Sequence, residues 1–165
     1  RVNLDEKTFV IDQGGADKSA RNGLKVLADE IRKAGLHVQS LATPSGTGTT
    51  ALFLALALPQ FRVYTTPCVG GVAYLKEQMS ALHVIPDNLV ILEPQKKYHF
   101  AKPYPEFFGI YKKLLTCGVE FDLLYAPNMW KTLLEQTDEE ILYIHSGGVS
   151  GNESMLSRYE KKYKN

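Results

Sequence analysis

Residues 42–57 read ATPSGTGTTALFLALA. Between positions 45 and 50 stand two glycines, Gly46 and Gly48, and four hydroxyl residues, Ser45, Thr47, Thr49 and Thr50. That is more than a surface turn needs, and an apolar run follows at once. Glycine lets a backbone approach a ligand closely and adopt positive φ. A helix starting behind such a loop turns its unpaired N–H groups and the positive end of its dipole back toward it. The stretch therefore reads as a strand end, an anion-binding loop and a helix. No lysine follows the second glycine, so this is not the phosphate loop of nucleotide hydrolases, and it is not GxGxxG. The plainer alternative is a polar turn in which Thr49 caps the helix.

Outward from this point the chain alternates. TFVIDQ (8–13) has the alternation and β-branched content of a short strand, and Gly14-Gly15 turns the chain. Residues 17–35 carry Leu24, Leu27, Ala28 and Ile31 at helical spacing, with Gly35 as the stop. Strands are expected over 36–42, 61–67 and 88–94, and a last strand and turn over 139–148. The loop 43–49 leads into a helix over 50–58 that Pro59 closes. Further helices are expected over 72–83, 105–118 and 128–136, with a short fraying helix from 152. Residues 120–127 read as a turn or a short strand. Strands rich in Val, Leu and Ile alternating with helices predict an α/β fold. Its mostly parallel twisted sheet carries helices on both faces in three layers. No repeat or linker interrupts residues 1–165, so one domain is expected.

The net charge of +1 argues against charge-driven binding to nucleic acid or a membrane surface. The longest apolar run, 51–58, is too short to span a bilayer. Cys68 and Cys117 lie far apart without CxxC spacing, so no zinc site or disulfide framework is expected. Both read as small core residues. A reducing, cytoplasmic setting is the default expectation. The first residue is Arg and no signal peptide is visible; either residues were processed away or this is a piece of a longer protein.

Ligands of doubly wound α/β folds sit beyond the C-terminal ends of the strands, and several loops there look specialised. In IHSGG (144–148), Ser146 stands between a strand end and a glycine pair. Its plainer reading is a turn, with His145 a buried, satisfied histidine. YHFAKPY (98–104) interleaves aromatic and basic residues, a pattern that favours packing over a pocket wall. In FDLLYAP, Asp122 and Tyr125 precede a helix. Asp122 could serve nearby backbone donors, and Tyr125 could be a core tyrosine with a wet hydroxyl. The Gly14-Gly15 loop reads as a tight strand–helix turn.

Taken in order, the Gly-Gly strand end, SGTGTT, YHF, FDLLY and IHSGG resemble the C-terminal half of pyridoxal-phosphate enzymes of the tryptophan-synthase-β type. Within that group the chain is similar to the 1-aminocyclopropane-1-carboxylate deaminase and D-cysteine desulfhydrase family. The resemblance implies that Ser45, Gly46, Thr47, Gly48 and Thr49 hold the phosphate of pyridoxal 5′-phosphate. It implies that Ser146 faces the pyridine nitrogen, and that Tyr125 stands beside a small amino-acid substrate, stacking or acting as acid or base. It also implies a homodimer of full-length chains. The family often reads DPVYTGK or DPVYEGK where residues 122–128 read DLLYAPN. Ala126 stands where the family has Thr or Glu, and the glutamate goes with ring-opening deamination, which shifts the expectation toward desulfhydration. The family's YHFGGY segment reads YHFAKPY here.

The family's Schiff-base lysine and its Ser-Asn segment for the substrate carboxylate lie in the N-terminal half, and nothing here occupies either place. The lysines present read as surface charge, with Lys102 a mild exception. The expectation is the cofactor-holding part of a two-domain amino-acid lyase or deaminase, inactive alone. The competing readings are a non-catalytic module for a phosphate-bearing ligand, or an unrelated α/β domain whose loops are only turns.

Overall fold

The computed structural model describes Thr8, Val10 and Gln13–Tyr163. The strand expected at 8–13 lies largely outside the described residues. Gln13–Gly15 forms a 3₁₀ turn, and the elements follow as α1 (Ala20–Lys33), β1 (Ser40–Ser45), α2 (Thr49–Ala57), β2 (Arg62–Pro67), α3 (Val72–Leu82), β3 (Leu89–Ile91), α4 (Pro105–Thr116), α5 (Ala126–Gln136), β4 (Ile141–Tyr143) and α6 (Asn152–Tyr163). The four strands lie in the order β3-β2-β1-β4 and every pairing is parallel. Parallel neighbours need crossover connections, and helices supply them.

The helix behind the quoted loop explains its own composition. α2 buries Thr49, Ala51, Leu52, Phe53, Leu54 and Ala55 in near succession. A helix apolar all round is one enclosed on all sides. Leu52 and Leu54 share a core with Ala28 and Ile31 of α1, Leu75 and Met79 of α3, and Leu41 and Val63 of the sheet. On the opposite face, Met129 and Leu133 of α5 pack on Ala42, Tyr64 and Leu92. α4 packs against α5. α6 is a packed helix, with Met155 and Tyr159 buried beside Tyr111 and Leu123. The three-layer α/β architecture expected from sequence is present.

β1 runs later than its pattern suggests. The expected 36–42 strand begins at Ser40 and continues through Thr43, Pro44 and Ser45, residues that read as loop. Proline in a strand is the reason for that misreading. The Ala42 carbonyl accepts the N–H of Ile144 on the β4 side. Two residues on, Pro44 faces the same side, where pairing with β4 has already stopped at Ala42–Tyr143. Its missing N–H therefore costs no ladder bond. The segment at 120–125 is a turn, and Cys117 is exposed rather than in the core. It follows the last turn of α4, and Gly118 at φ +82° carries the chain away.

At the opposite end of the sheet, Glu139 ties three elements together. Its carboxylate accepts from Ser40 Oγ, from Tyr64 Oη at 2.8 Å and from Arg62 Nη1 at 2.9 Å. The Ser40 hydrogen bond first, then those of Tyr64 and Arg62, hold its pKa below the usual 4.5. A depressed carboxylate stabilises the fold above its unfolded pKa and loses that contribution as pH falls through its folded one. The Glu139 side chain is 39% exposed, so screening keeps the effect below about 1 kcal/mol. Glu139→Gln is expected to lower the urea midpoint near pH 6, with the gap closing as pH falls through the lowered carboxylate pKa. A gap independent of pH would refute the carboxylate's role.

Candidate functional site

β1 sends its chain to β2 on one side and borders β4 on the other. The crevice beyond β1 and β4 is thus a topological switch point, where open α/β sheets bind ligands. SGTGTT leaves β1 there and IHSGG leaves β4 beside it.

The loop is built for exposure of N–H groups. Gly48 is the N-cap of α2 at φ +80°, ψ 2°, and no side chain caps the helix. Thr49 is therefore the first helical residue, not the cap. Its hydroxyl pairs with that of Thr47 at 2.9 Å. The first intrahelical bond closed by Gly48 is Leu52 N–H to Gly48 O at 2.9 Å, which leaves the amides of Thr49, Thr50 and Ala51 without helical acceptors. Ser45 differs. It is 2% exposed, and its hydroxyl meets Thr65 Oγ1 at 2.6 Å. That bond joins β1 to β2 and points Ser45 into the fold.

Gly48 admits no side chain. A Cβ there would stand 2.5 Å from Met79 Cγ and 2.8 Å from Leu75 Cδ1. Gly14, at φ +70°, places its turn over Thr47, whose Cγ2 would be 3.0 Å from an added Cβ. The Gly-Gly turn, which read as a plain connection, therefore borders the 45–50 loop.

Asp122 organises the facing wall. It is 4% exposed, and its carboxylate accepts the N–H groups of Leu124 at 2.9 Å, Tyr125 at 2.5 Å and Ala126 at 3.3 Å. This closes the turn and puts a negative charge at the N-terminus of α5. The half-buried Tyr125 then lies against the 45–50 loop, its Oη 3.7 Å from where a Gly46 Cβ would be. Burial, then the neighbouring Cys68 and Asp122, push the Tyr125 pKa up, so at neutral pH its hydroxyl is protonated and can donate. Phe100, from the 98–104 segment, tilts against Tyr125 with ring centroids 5.0 Å apart. Tyr98 and Tyr104 of the same segment pack with Phe107 of α4. The segment packs as its pattern suggests, and one of its aromatics also reaches the site.

Asp122 also joins the last loop. A Cβ on Gly147 would stand 2.7 Å from Asp122 Oδ2, so only glycine fits. His145 is exposed rather than buried. Its Nε2 lies 3.1 Å from the Glu120 carbonyl, and its ring tilts on Phe121 at 4.6 Å. An open strand end, with β4 finished at Tyr143, accounts for the exposure. Ser146 is exposed as well. Cys68 is buried, and desolvation first pushes its thiol up to about 12. It donates to the carbonyls of Thr66 and Tyr125, and is an unreactive spacer between β2 and the Tyr125 turn. Lys102 is exposed, 5.6 Å from the Tyr104 ring centroid.

The structure thus brings Gly46, Thr47, Gly48 and Thr49 together with Tyr125, and links the IHSGG loop to the same wall through Asp122. The roles of Gly147 and Phe100 escaped sequence reading, because both arise from contacts between distant loops. No family model matches the chain, and no curated protein does. A crystal structure described as that of an ACC deaminase homologue superposes with a TM-score of 0.74 at 22% identity, over 91% of this chain and 53% of that one. At this identity the likeness shows the fold, and this chain spans about half the length of that neighbour.

Proposed function

We propose that the chain is the cofactor-phosphate-binding portion of a pyridoxal-phosphate-dependent lyase or deaminase acting on a small amino acid. The observation that carries this is the bare N-terminus of α2, flanked by Thr47 and Thr49 and faced by Tyr125. The donor set suits a phosphate: free amides of Thr49–Ala51, two threonine hydroxyls, and the glycines 46 and 48 for close approach. Ser45 contributes through its backbone position, since its hydroxyl is engaged by Thr65. When bound, pyridoxal phosphate supplies an electron sink for breaking bonds at an amino acid's α-carbon.

The chain's own residues would act around that group. Thr47, Thr49 and the α2 amides fix the phosphate and so the ring's position. Ser146 offers the pyridine nitrogen a neutral hydroxyl, which would not hold it protonated as a carboxylate would. Tyr125, protonated at neutral pH, is placed to donate a proton or a hydrogen bond at the substrate, and Phe100 excludes water from one side of it. Ala126, 1% exposed at the start of α5, brings no carboxyl group to that wall, which favours desulfhydration over ring-opening deamination. In this reading the Schiff-base lysine is supplied by sequence beyond this chain, the full protein is a homodimer, and its setting is cytoplasmic. Among the described residues no helix is long and apolar enough to cross a membrane.

The donor set reads only a phosphate, so it also serves the second reading, a non-catalytic module for a phosphate-bearing ligand. A titration separates the cases. The probes are 4′-deoxypyridoxine 5′-phosphate, which lacks the aldehyde and cannot react with surface lysines, and inorganic phosphate, followed by amide NMR. Shifts at residues 46–51 and 146, with binding at least about tenfold tighter than inorganic phosphate, support the cofactor reading. Equal affinities and no response at Ser146 favour the plain module. No response at 46–51 sinks both. The isolated chain is expected to release no sulfide from D-cysteine above a protein-free control.

A further inference from the structure

The segment that carries Phe100 to Tyr125 holds its backbone in an unfavourable shape. Ala101 stands at φ +55°, the one non-glycine residue with positive φ among the described residues. An L side chain disfavours that region, because its Cβ crowds the following carbonyl. Such a conformation persists only where the surrounding structure over-determines it. The turn is closed by Lys102 N–H to the His99 carbonyl at 3.2 Å. Phe100 stands at its tip, 43% exposed.

The hold comes from both sides of the turn. Before it, Tyr98 Oη donates to Glu106 of α4 at 3.2 Å. After it, α6 grips the chain. Lys162 Nζ and Tyr163 Oη both donate to the carbonyl of the buried Pro103, at 2.8 and 3.0 Å. Tyr159 Oη accepts the Tyr104 N–H at 3.3 Å. Residues 159, 162 and 163 share one face of the helix, being three and four apart. Tyr104 relays the grip across the turn, since its own hydroxyl accepts the His99 N–H at 3.0 Å. Ala101 packs on the cluster that contains Tyr159 and Met155 of α6. The strained residue is thus spanned by bonds that end on α6.

We propose that α6 is a clamp that sets Phe100 as an aromatic wall beside Tyr125, with Tyr159, Lys162 and Tyr163 as positioning residues for the ligand that stands there. Without the clamp, Ala101 relaxes to negative φ and carries Phe100 off Tyr125. The wall is built from residues apart from the α2 amides and the Thr47 and Thr49 hydroxyls. It therefore bears on the part of a ligand beyond its phosphate. That consequence for ligand choice rests on the phosphate-loop reading above; the clamp does not.

The test uses the 165-residue chain with Lys162→Met and Tyr163→Phe together, which removes both donors to Pro103 and keeps the side-chain bulk. Both residues are exposed, so the fold is expected to stand. The nuclear Overhauser effects between the Phe100 and Tyr125 rings are expected to disappear. Affinity for 4′-deoxypyridoxine 5′-phosphate is expected to fall about tenfold, with that for inorganic phosphate changed by less than about twofold. Adding Ala101→Gly removes the strain, because glycine takes positive φ freely, and is expected to restore both the ring contact and the lost affinity. Should the double variant fail to fold, Lys162→Met alone is expected to weaken the contact, with the same rescue. Ring contact that persists without the donors overturns the proposal. So do equal losses for the two ligands, or no rescue by Ala101→Gly. If neither ligand shifts residues 46–51 in the parent chain, the phosphate reading fails, and the ring contact and its rescue still decide the clamp.

Discussion

Gly48→Ala is expected to destabilise the chain by about 2–5 kcal/mol and to abolish the phosphate binding proposed for the loop. Two costs add. At φ +80° an alanine pays about 1–2 kcal/mol in the left-handed region. Its Cβ would also stand 2.5 Å from Met79 Cγ and 2.8 Å from Leu75 Cδ1. Both neighbours are fully buried, and overpacking of that kind costs about 1–3 kcal/mol. Either relief disturbs the site: the loop flips to negative φ and turns its amides away, or α3 retreats from α2. Against a domain stability of about 5–15 kcal/mol the variant is expected to remain folded, and urea denaturation gives its stability. Met79→Ala, itself costly in a filled core, should cost less in the Gly48→Ala chain than in the parent because it makes room, a coupling that a purely conformational cost would not produce. A single variant as stable as the parent would show that the loop is not held as described.

Asp122→Ala is expected to cost about 2–4 kcal/mol and to release Tyr125 from the 45–50 loop. The carboxylate accepts three backbone N–H groups while only 4% exposed. Removing an acceptor strands buried donors, at about 1–3 kcal/mol each where water cannot replace it; partial access of water to the Leu124 and Tyr125 amides keeps the total below the sum. The lost charge at the N-terminus of α5 adds about 0.3–1 kcal/mol. Asp122→Asn keeps one acceptor oxygen and should recover about half. The structural readout is the Phe100–Tyr125 contact, seen as aromatic nuclear Overhauser effects between the two rings. Persistence of that contact in Asp122→Ala would mean that packing, not the carboxylate, positions Tyr125.

Much of this protein was legible before folding was considered. Alternating strands and helices and β-branched strand residues state the α/β class, and the glycine-hydroxyl run ahead of an apolar stretch locates the bare N-terminus of α2. These are local signals, since periodicity and turn chemistry act within a few residues. Asp122 as a satisfier of backbone donors was legible for the same reason, because its partners lie two to four residues on.

What only the tertiary structure decided concerns contacts between distant segments. The strand order β3-β2-β1-β4 sets SGTGTT beside IHSGG. Pro44 sits inside β1 because β4 ends short of it, a fact about another strand. The same holds for Ser45, whose hydroxyl reads as a ligand group until Thr65 of β2 takes it. Cys117 and His145 look like core residues by type, but one lies past a helix end and the other past the end of a short strand. Gly147 is required by Asp122, and Phe100 reaches Tyr125, across more than twenty residues in each case. Sequence patterns report which face of an element is apolar. They do not report which element will cover it, and at this site that covering decides which hydroxyls and amides remain free for a ligand.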